Sequence, residues 1–348
     1  MAEPPRVLIA GGYGVFGSLL ARELLAATSL RILIAGRNRS AAALVCQRLG
    51  APGRCEALAL DLNDRESLRK AASGCFAVVC AAGPFQRFDH RLPLIAVETG
   101  AHWLDISDDE GWILPILDSE SLDAAARVAG RTILPGLSTT PALSGALVRW
   151  CRNRAPQANR ARVVLWIGNH NRKGAAAIAS ALRSGFRDPV SVHLPTGPCR
   201  AYRFRSPDEA LLRREVAMEA EFRVAFEWEL TSWLIARLQS TGSSEKLSSW
   251  LARLSMPFSR FGSDGGCLQT DVFDREGRAL VTAAFSAKGQ RLAVLPAVLA
   301  LQALLSGELR KHGSVSPASW LAPEEWVARL AARGLQFGSG GREVRAES

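Results

Sequence analysis

The residues best suited to chemistry stand at the very start of the chain, in the run Val7-Leu8-Ile9-Ala10-Gly11-Gly12-Tyr13-Gly14-Val15-Phe16-Gly17. Gly12, Gly14 and Gly17 have G-x-G-x-x-G spacing and lie directly between a strand-like apolar run and the start of a helix. Glycines at these offsets permit a tight turn at Gly12, close approach of the backbone to a pyrophosphate at Gly14, and close packing of helix on strand at Gly17. The helix start also presents free N–H groups and the positive end of its dipole to phosphates. A dinucleotide is the expected ligand, with Tyr13, Val15 and Phe16 in the same binding turn.

An NAD-binding chain usually carries Asp or Glu about 20 residues further on, to hold the ribose 2′-hydroxyl. Here no acid occurs from Leu30 to Ser40, and Gly36-Arg37-Asn38-Arg39 occupies the expected strand end. A guanidinium at that place donates charge-assisted hydrogen bonds to a 2′-phosphate, which a carboxylate would repel. Arg37, with Asn38 beside it, is the expected phosphate reader, Arg39 begins the next helix, and NADP is expected ahead of NAD. Asp61-Leu62 at the third strand end is placed to meet adenine, helix capping being the alternative for Asp61. Ala82-Gly83-Pro84-Phe85 at the fourth strand end is placed to meet the nicotinamide ribose.

Hydride transfer to C=O or C=N also needs a proton donor. The Tyr-x-x-x-Lys pair of short-chain reductases is absent, since Tyr13 and Tyr202 both lack Lys four residues on. The catalytic candidates are Asp105 at a strand's carboxyl end, His102 beginning that strand, and His170 ending the first strand of the second domain. The alternative for each histidine is a structural role, and for Asp105 a helix cap. Ser138, Thr139 and Thr140 suit either substrate binding or N-capping. Neither His102 nor His170 has a second histidine or a cysteine at helical spacing, so no metal site is expected there.

These residues require a frame of parallel strands joined by crossover helices. The strands read as Arg6–Ala10, Leu30–Ala35, Cys55–Leu60, Phe76–Ala81, Trp103–Ile106 and Arg131–Leu134. Asn63-Asp64-Arg65-Glu66 has capping-box spacing, and Ser40 precedes an alanine-rich helix ending at Gly50. The fold class is α/β: a Rossmann-type doubly wound parallel sheet over residues 1–135, then a mixed α/β domain for substrate and dimerisation over 136–290. The second region shows a strand at Arg162–Ile167, a helix near Gly174–Leu182, and a hairpin of Cys267–Phe273 with Ala279–Phe285. Trp228, Trp233 and Trp250 read as packing residues. Helices at Leu292–Arg310 and Pro323–Arg333, within 291–335, are expected to pack back on the first domain, and 336–348 reads as a tail.

At 348 residues the chain suits about two domains. Its 43 basic residues exceed 33 acidic ones, for a net charge of +10, and 38 of the 43 are Arg. These arginines are scattered, as on a solvated surface, and also suit an anionic cofactor or substrate. No zinc-finger spacing, RNA-recognition signature or basic-aromatic stripe is present, so nucleic acid is not an expected partner. Seven cysteines without a C-x-x-C pair read as reduced thiols, and with no signal peptide indicated the expected location is cytoplasmic. Leu292–Leu305 is too short to span a bilayer and reads as a buried helix.

The glycine motif, Gly36-Arg37, Asp61, Ala82-Gly83-Pro84-Phe85 and Trp103-Leu104-Asp105-Ile106, in this order and spacing, together resemble the saccharopine dehydrogenase-like NADP-binding domain family. The resemblance covers residues 6 to 140, and Gly313-Ser314-Val315-Ser316-Pro317 resembles the family's C-terminal end. It implies a Rossmann domain, a substrate domain after it, and pyridine-nucleotide-dependent oxidoreduction. Taken with Arg37, the expected function is an NADP-dependent oxidoreductase that moves hydride to or from a C=O, C=N or C=C bond of a small molecule. A protein that binds NADP without turnover, as sensor or scaffold, is the alternative. The family's Tyr-x-Asp segment is commonly followed by a small residue, Gly and Glu. Here Trp103-Leu104-Asp105-Ile106-Ser107-Asp108-Asp109-Glu110 stands in its place.

Overall fold

A computed structural model describes residues 3–171, 187–228 and 262–340. The chain forms two compact units: Met1–Ala142 with Ala293–Trp320, and Leu143–Leu292 with Leu321–Ser348.

The first unit is built on β1 (Arg6–Ala10), β2 (Arg31–Gly36), β3 (Cys55–Ala59), β4 (Ala77–Cys80), β5 (His102–Asp105) and β6 (Thr132–Leu134). A late two-residue strand, β13 (Gly313–Ser314), completes the sheet order β13-β6-β5-β4-β1-β2-β3. Every pairing is parallel. β1, β2 and β4 are apolar along nearly their whole length because helices cover both faces of a parallel sheet.

The helices are α1 (Val15–Ala27), α2 (Arg39–Leu49), α3 (Arg65–Ala72), α4 (Leu92–Glu98), α5 (Glu110–Leu117) and α6 (Glu120–Val128). On α1, Gly17, Leu20, Ala21 and Leu24 are buried. That is the three-and-four spacing of one helical face, and each buried Leu contributes about 1.5–3 kcal/mol. The caps fall one or two residues from the sequence reading. Asp64, not Asn63, caps α3 by accepting from the Glu66 and Ser67 N–H groups. Asn38 caps α2 by accepting from Ala41 N–H, so Ser40 lies inside the helix.

The second unit carries the sheet order β14-β12-β11-β7-β10-β9-β8. Its strands are β7 (Arg160–Ile167), β8 (Arg187–Leu194), β9 (Gly197–Arg203), β10 (Glu219–Phe226), β11 (Gly265–Phe273), β12 (Ala279–Lys288) and β14 (Gln336–Gly340). β7 and β10 are parallel and the remaining pairings antiparallel, which makes this sheet mixed. The expected hairpin is β11 with β12. The unit's helices are α7 (Ser144–Arg154), α8 (Asp208–Val216) and, near the end of the chain, α10 (Pro323–Ala331).

The end of the chain differs from its reading as helices on the first domain followed by a tail. α9 (Leu295–Leu305) belongs to the first unit, where Gln302 Nε2 donates to the Ala27 carbonyl of α1 at 3.0 Å. α10, with Trp326 fully buried, belongs to the second unit. Residues 336–340 pair with β12, with Phe337 opposite Phe285, so this part of the expected tail is an edge strand. The expected helix near 174–182, Trp233 and Trp250 lie outside the described residues. Among the described residues no helix is long and apolar enough to cross a membrane.

Candidate functional site

In the first sheet, successive strands run outward from β1 in one direction through β2 to β3, and from β4 in the other through β5 to β6. The carboxyl ends of β1 and β4 therefore flank the point where strand order reverses, which is where open α/β sheets leave a crevice. The glycine turn sits there. Gly11 has φ +75, and a Cβ on it would lie 2.7 Å from Ala82 Cα and N, at the end of β4. The tight turn thus depends on Gly11, one residue ahead of Gly12, to which the spacing had assigned it. Gly12 instead lies against Ile9 and Ile34, its added Cβ falling 2.9 Å from the Ile9 carbonyl.

Gly11 and Gly12 N–H both donate to the Ala35 carbonyl, at 2.8 and 3.1 Å, tying the turn to β2. Gly17 packs so closely on the turn that a Cβ would run into the Gly11 carbonyl and lie 2.7 Å from Gly12 Cα. At Gly14 the same test meets the Gly11 carbonyl alone, at 3.1 Å. The helical ladder starts with Ser18 N–H donating to the Gly14 carbonyl at 3.0 Å. No side chain caps α1 and its first turn holds no acid, so the N–H groups of Val15, Phe16 and Gly17 precede the ladder uncapped. N–H groups left free in this way at a helix start are suited to an anion, and at Gly14 no side chain stands in the way.

Tyr13 leans over the end of β2, its ring in the space that a side chain at Gly36 would need. Arg37 follows, exposed, and meets no hydrogen-bonding or ion-pair partner among the described residues. Asn38 spends its carbonyl oxygen on capping α2, and Arg39 donates to the Ala57 carbonyl at 3.4 Å. At the end of β3, Asp61 accepts from Asn63 N–H at 3.0 Å and from the Asn63 amide at 3.1 Å. It closes a local turn and leaves helix capping to Asp64. Leu62 is buried beside it.

After β4 come Ala82 and Gly83-Pro84, a cis pair, then Phe85, which packs on Trp112 at 5.5 Å between ring centroids. The same loop carries His90, a residue the sequence reading passed over. Its ring stacks on Trp112 at 5.3 Å and 25°, and its Nε2–H donates to the Gly111 carbonyl at 2.9 Å. That bond leaves Nδ1 of this exposed ring as an acceptor. Beside it Gln86 donates to Asp109 Oδ2, while Asp109 Oδ1 is buried without a hydrogen-bond partner. The available signal was position: the loop between β4 and α4 lies wholly at the carboxyl edge of the sheet.

Asp105 is fully buried at the end of β5. Its Oδ2 accepts from the indole N–H of Trp103 at 3.0 Å and of Trp112 at 2.9 Å. Its Oδ1 accepts from Ser107 N–H at 3.1 Å and Gly136 N–H at 2.9 Å. Burial pushes this carboxyl above the ordinary range, and the four donors pull against that shift. Every one of those donors is already committed, which makes Asp105 a structural knot joining β5 to the turns at residues 107 and 136.

His102 stands at the opposite edge. In register with Ala77, it begins β5 at the amino end, and its Nδ1 accepts from Thr132 N–H at 3.0 Å. The strand separates it from the glycine turn, so the histidine at this edge is not brought to the crevice. Burial, and then the positive charges of Arg131 and His312, lower its pKa from 6.5 to about 4. Folding therefore holds it neutral, and unfolding takes up a proton between these two values. Stability is expected to be full above pH 6.5 and to fall by about 3 kcal/mol as pH drops towards 4. A thermal-melt series on the native chain and on His102→Gln, which keeps an acceptor for Thr132, checks this. The variant should lose most of that slope, and an unchanged slope would place the titration elsewhere.

His170 belongs to the second unit, where it is exposed and its backbone N–H donates to the Ser263 carbonyl at 2.9 Å. Ser138, Thr139 and Thr140 are buried, and α7 starts without a side-chain cap, so capping is not their role there.

No family model and no curated protein sequence matches the chain. Solved structures do. Apo saccharopine dehydrogenase (L-Glu forming) from Saccharomyces cerevisiae is 13% identical, with 97% of this chain and 100% of that chain covered at a TM-score of 0.66. GenD2 from gentamicin A biosynthesis, in complex with NAD, is 16% identical over 98% of each chain at 0.45. A dehydrogenase from Chromobacterium violaceum is 11% identical, covering 96% and 97%, at 0.44. The first of these carries the comparison, and with the strand order and glycine turn it shows that this chain has a saccharopine dehydrogenase-like α/β fold.

Proposed function

We propose that this chain is an NADP-dependent oxidoreductase that moves hydride to or from a C=O, C=N or C=C bond of a small substrate. The observation that carries the cofactor is the end of β2: an exposed, unpartnered Arg37 beside a glycine whose side-chain space is filled by Tyr13. An acid at Gly36, the usual ribose ligand, would collide with that ring. Arg37 is free to take a 2′-phosphate, and the uncapped N–H groups of Val15, Phe16 and Gly17 suit the pyrophosphate. Asp61 and Leu62 flank the adenine end, and Ala82 to Phe85 the nicotinamide end. When bound, the dinucleotide supplies or accepts the hydride. A dehydrogenase with the same fold supports oxidoreduction as the chemistry.

For the proton we assign His90 in place of His102, Asp105 and His170. His90 lies on the loop that follows β4, and its free Nδ1 can hold or release a proton once Nε2 is fixed by Gly111. His90→Gln should lower turnover more than nucleotide affinity once a substrate is in hand.

The deciding experiment is a fluorescence titration with NADPH and, separately, NADH, on the native chain and on Arg37→Asp. A charge-assisted bond of about 1.5–3 kcal/mol predicts roughly 10- to 150-fold tighter binding of NADPH, abolished or reversed in the variant. Equal affinities in the native chain would remove the NADP assignment. Absence of binding by either nucleotide would remove the proposal altogether.

A further inference from the structure

Away from the glycine turn, two thiols face each other between α2 and β3 of the first unit. Cys46 in the second half of α2 and Cys55 at the first position of β3 stand with their sulfurs 3.0 Å apart. Both are half-buried, whereas Cys75, Cys80, Cys151 and Cys267 are buried. A disulfide has its sulfurs about 2.04 Å apart, so closing the pair takes an approach of about 1 Å.

The surroundings favour that approach from one side. Arg54, the residue before Cys55, donates to the Leu30 and Leu25 carbonyls at 3.2 Å each, which holds the start of β3 in place. The connection from α2 is open by contrast. Gly50 and Gly53 have φ +61 and +76, and nothing lies within 4 Å of where their Cβ atoms would be. At these two glycines the turn that joins α2 to β3 is not packed against any other segment.

We propose that Cys46 and Cys55 form a dithiol site that a low-molecular-weight disulfide, such as oxidised glutathione, converts to an intrachain disulfide. The Cys46 thiolate attacks one sulfur of the oxidant, breaking its S–S bond and releasing one glutathione, which takes up a proton. Cys55 then loses its proton and attacks Cys46 Sγ, expelling the second glutathione. Two protein thiols are oxidised to one disulfide, and one glutathione disulfide is reduced to two thiols. Burial, with Cys46 adding to it, pushes the Cys55 thiol up to about 12, so Cys55 acts second, once the mixed disulfide is in place.

The site is independent of the dinucleotide proposal, and its test reads the bond itself. The full chain is incubated with oxidised glutathione, its remaining thiols are alkylated, and it is digested with trypsin. Peptides 40–48 and 55–65 should appear joined, lighter by two hydrogens than their sum, and reduction should separate them. With Cys55→Ser, glutathione should remain attached to Cys46. Persistent glutathione on Cys46 in the native chain, free alkylation of both thiols, or cross-links to other cysteines in preference would each overturn the proposal.

Discussion

Gly11→Ala should destabilise the first unit by about 3 kcal/mol, although it adds one methyl group. Two penalties coincide at this position. The left-handed backbone at φ +75 disfavours any side chain by about 1–2 kcal/mol, and the added carbon meets the backbone of Ala82 at 2.7 Å, where overpacking costs about 1–3 kcal/mol. Gly50→Ala is the matched control, because φ is +61 there and nothing lies nearby. Denaturant midpoints of the two variants, compared at equal m, separate the steric contact from the backbone effect. Equal losses would mean that β1 and β4 part freely at the turn.

Asp105→Asn should be more damaging, with an expected loss of about 4 kcal/mol. An amide offers one acceptor oxygen to four N–H donors and brings two donors of its own, so at least one pair of donors faces a donor. Each hydrogen bond to a charged group is worth about 1.5–3 kcal/mol. Two of the stranded donors are the Trp103 and Trp112 indoles, so the near-ultraviolet circular dichroism and tryptophan fluorescence should change with the stability. Loss of activity with the melting curve and spectra untouched would return Asp105 to the catalytic list.

Much of the first unit was legible in the sequence because doubly buried strands must be short apolar runs. Arg6–Ala10 matches its reading, and β2 to β6 fall within a residue or so of theirs. The glycine turn was legible for a related reason, since glycine spacing reports where backbones touch. Gly11 shows the limit: which of two adjacent glycines takes the left-handed conformation depends on Ala82, some seventy residues on. His102 and His90 show another. Apolar pattern marks a strand without telling which edge a residue at its end will occupy, and His90 lies in a loop with no periodicity. In the second unit β8 went unread because it is an exposed edge strand carrying Pro189, with polar residues on half of its positions. Asp105 looked like an acid at a strand's carboxyl end, and its four donors come from three separate segments.

The sheet of the first unit is finished by β13, and α1 receives α9, both from residues 293–320. On a ribosome this unit cannot be completed when its first 142 residues emerge. The whole of residues 143–292 must be made first, a wait on the order of ten seconds at about 5–20 residues per second. Through that interval the edge of β6 is a strand without its neighbour, and a nascent chain arrested before residue 313 keeps that edge open to pairing with another chain.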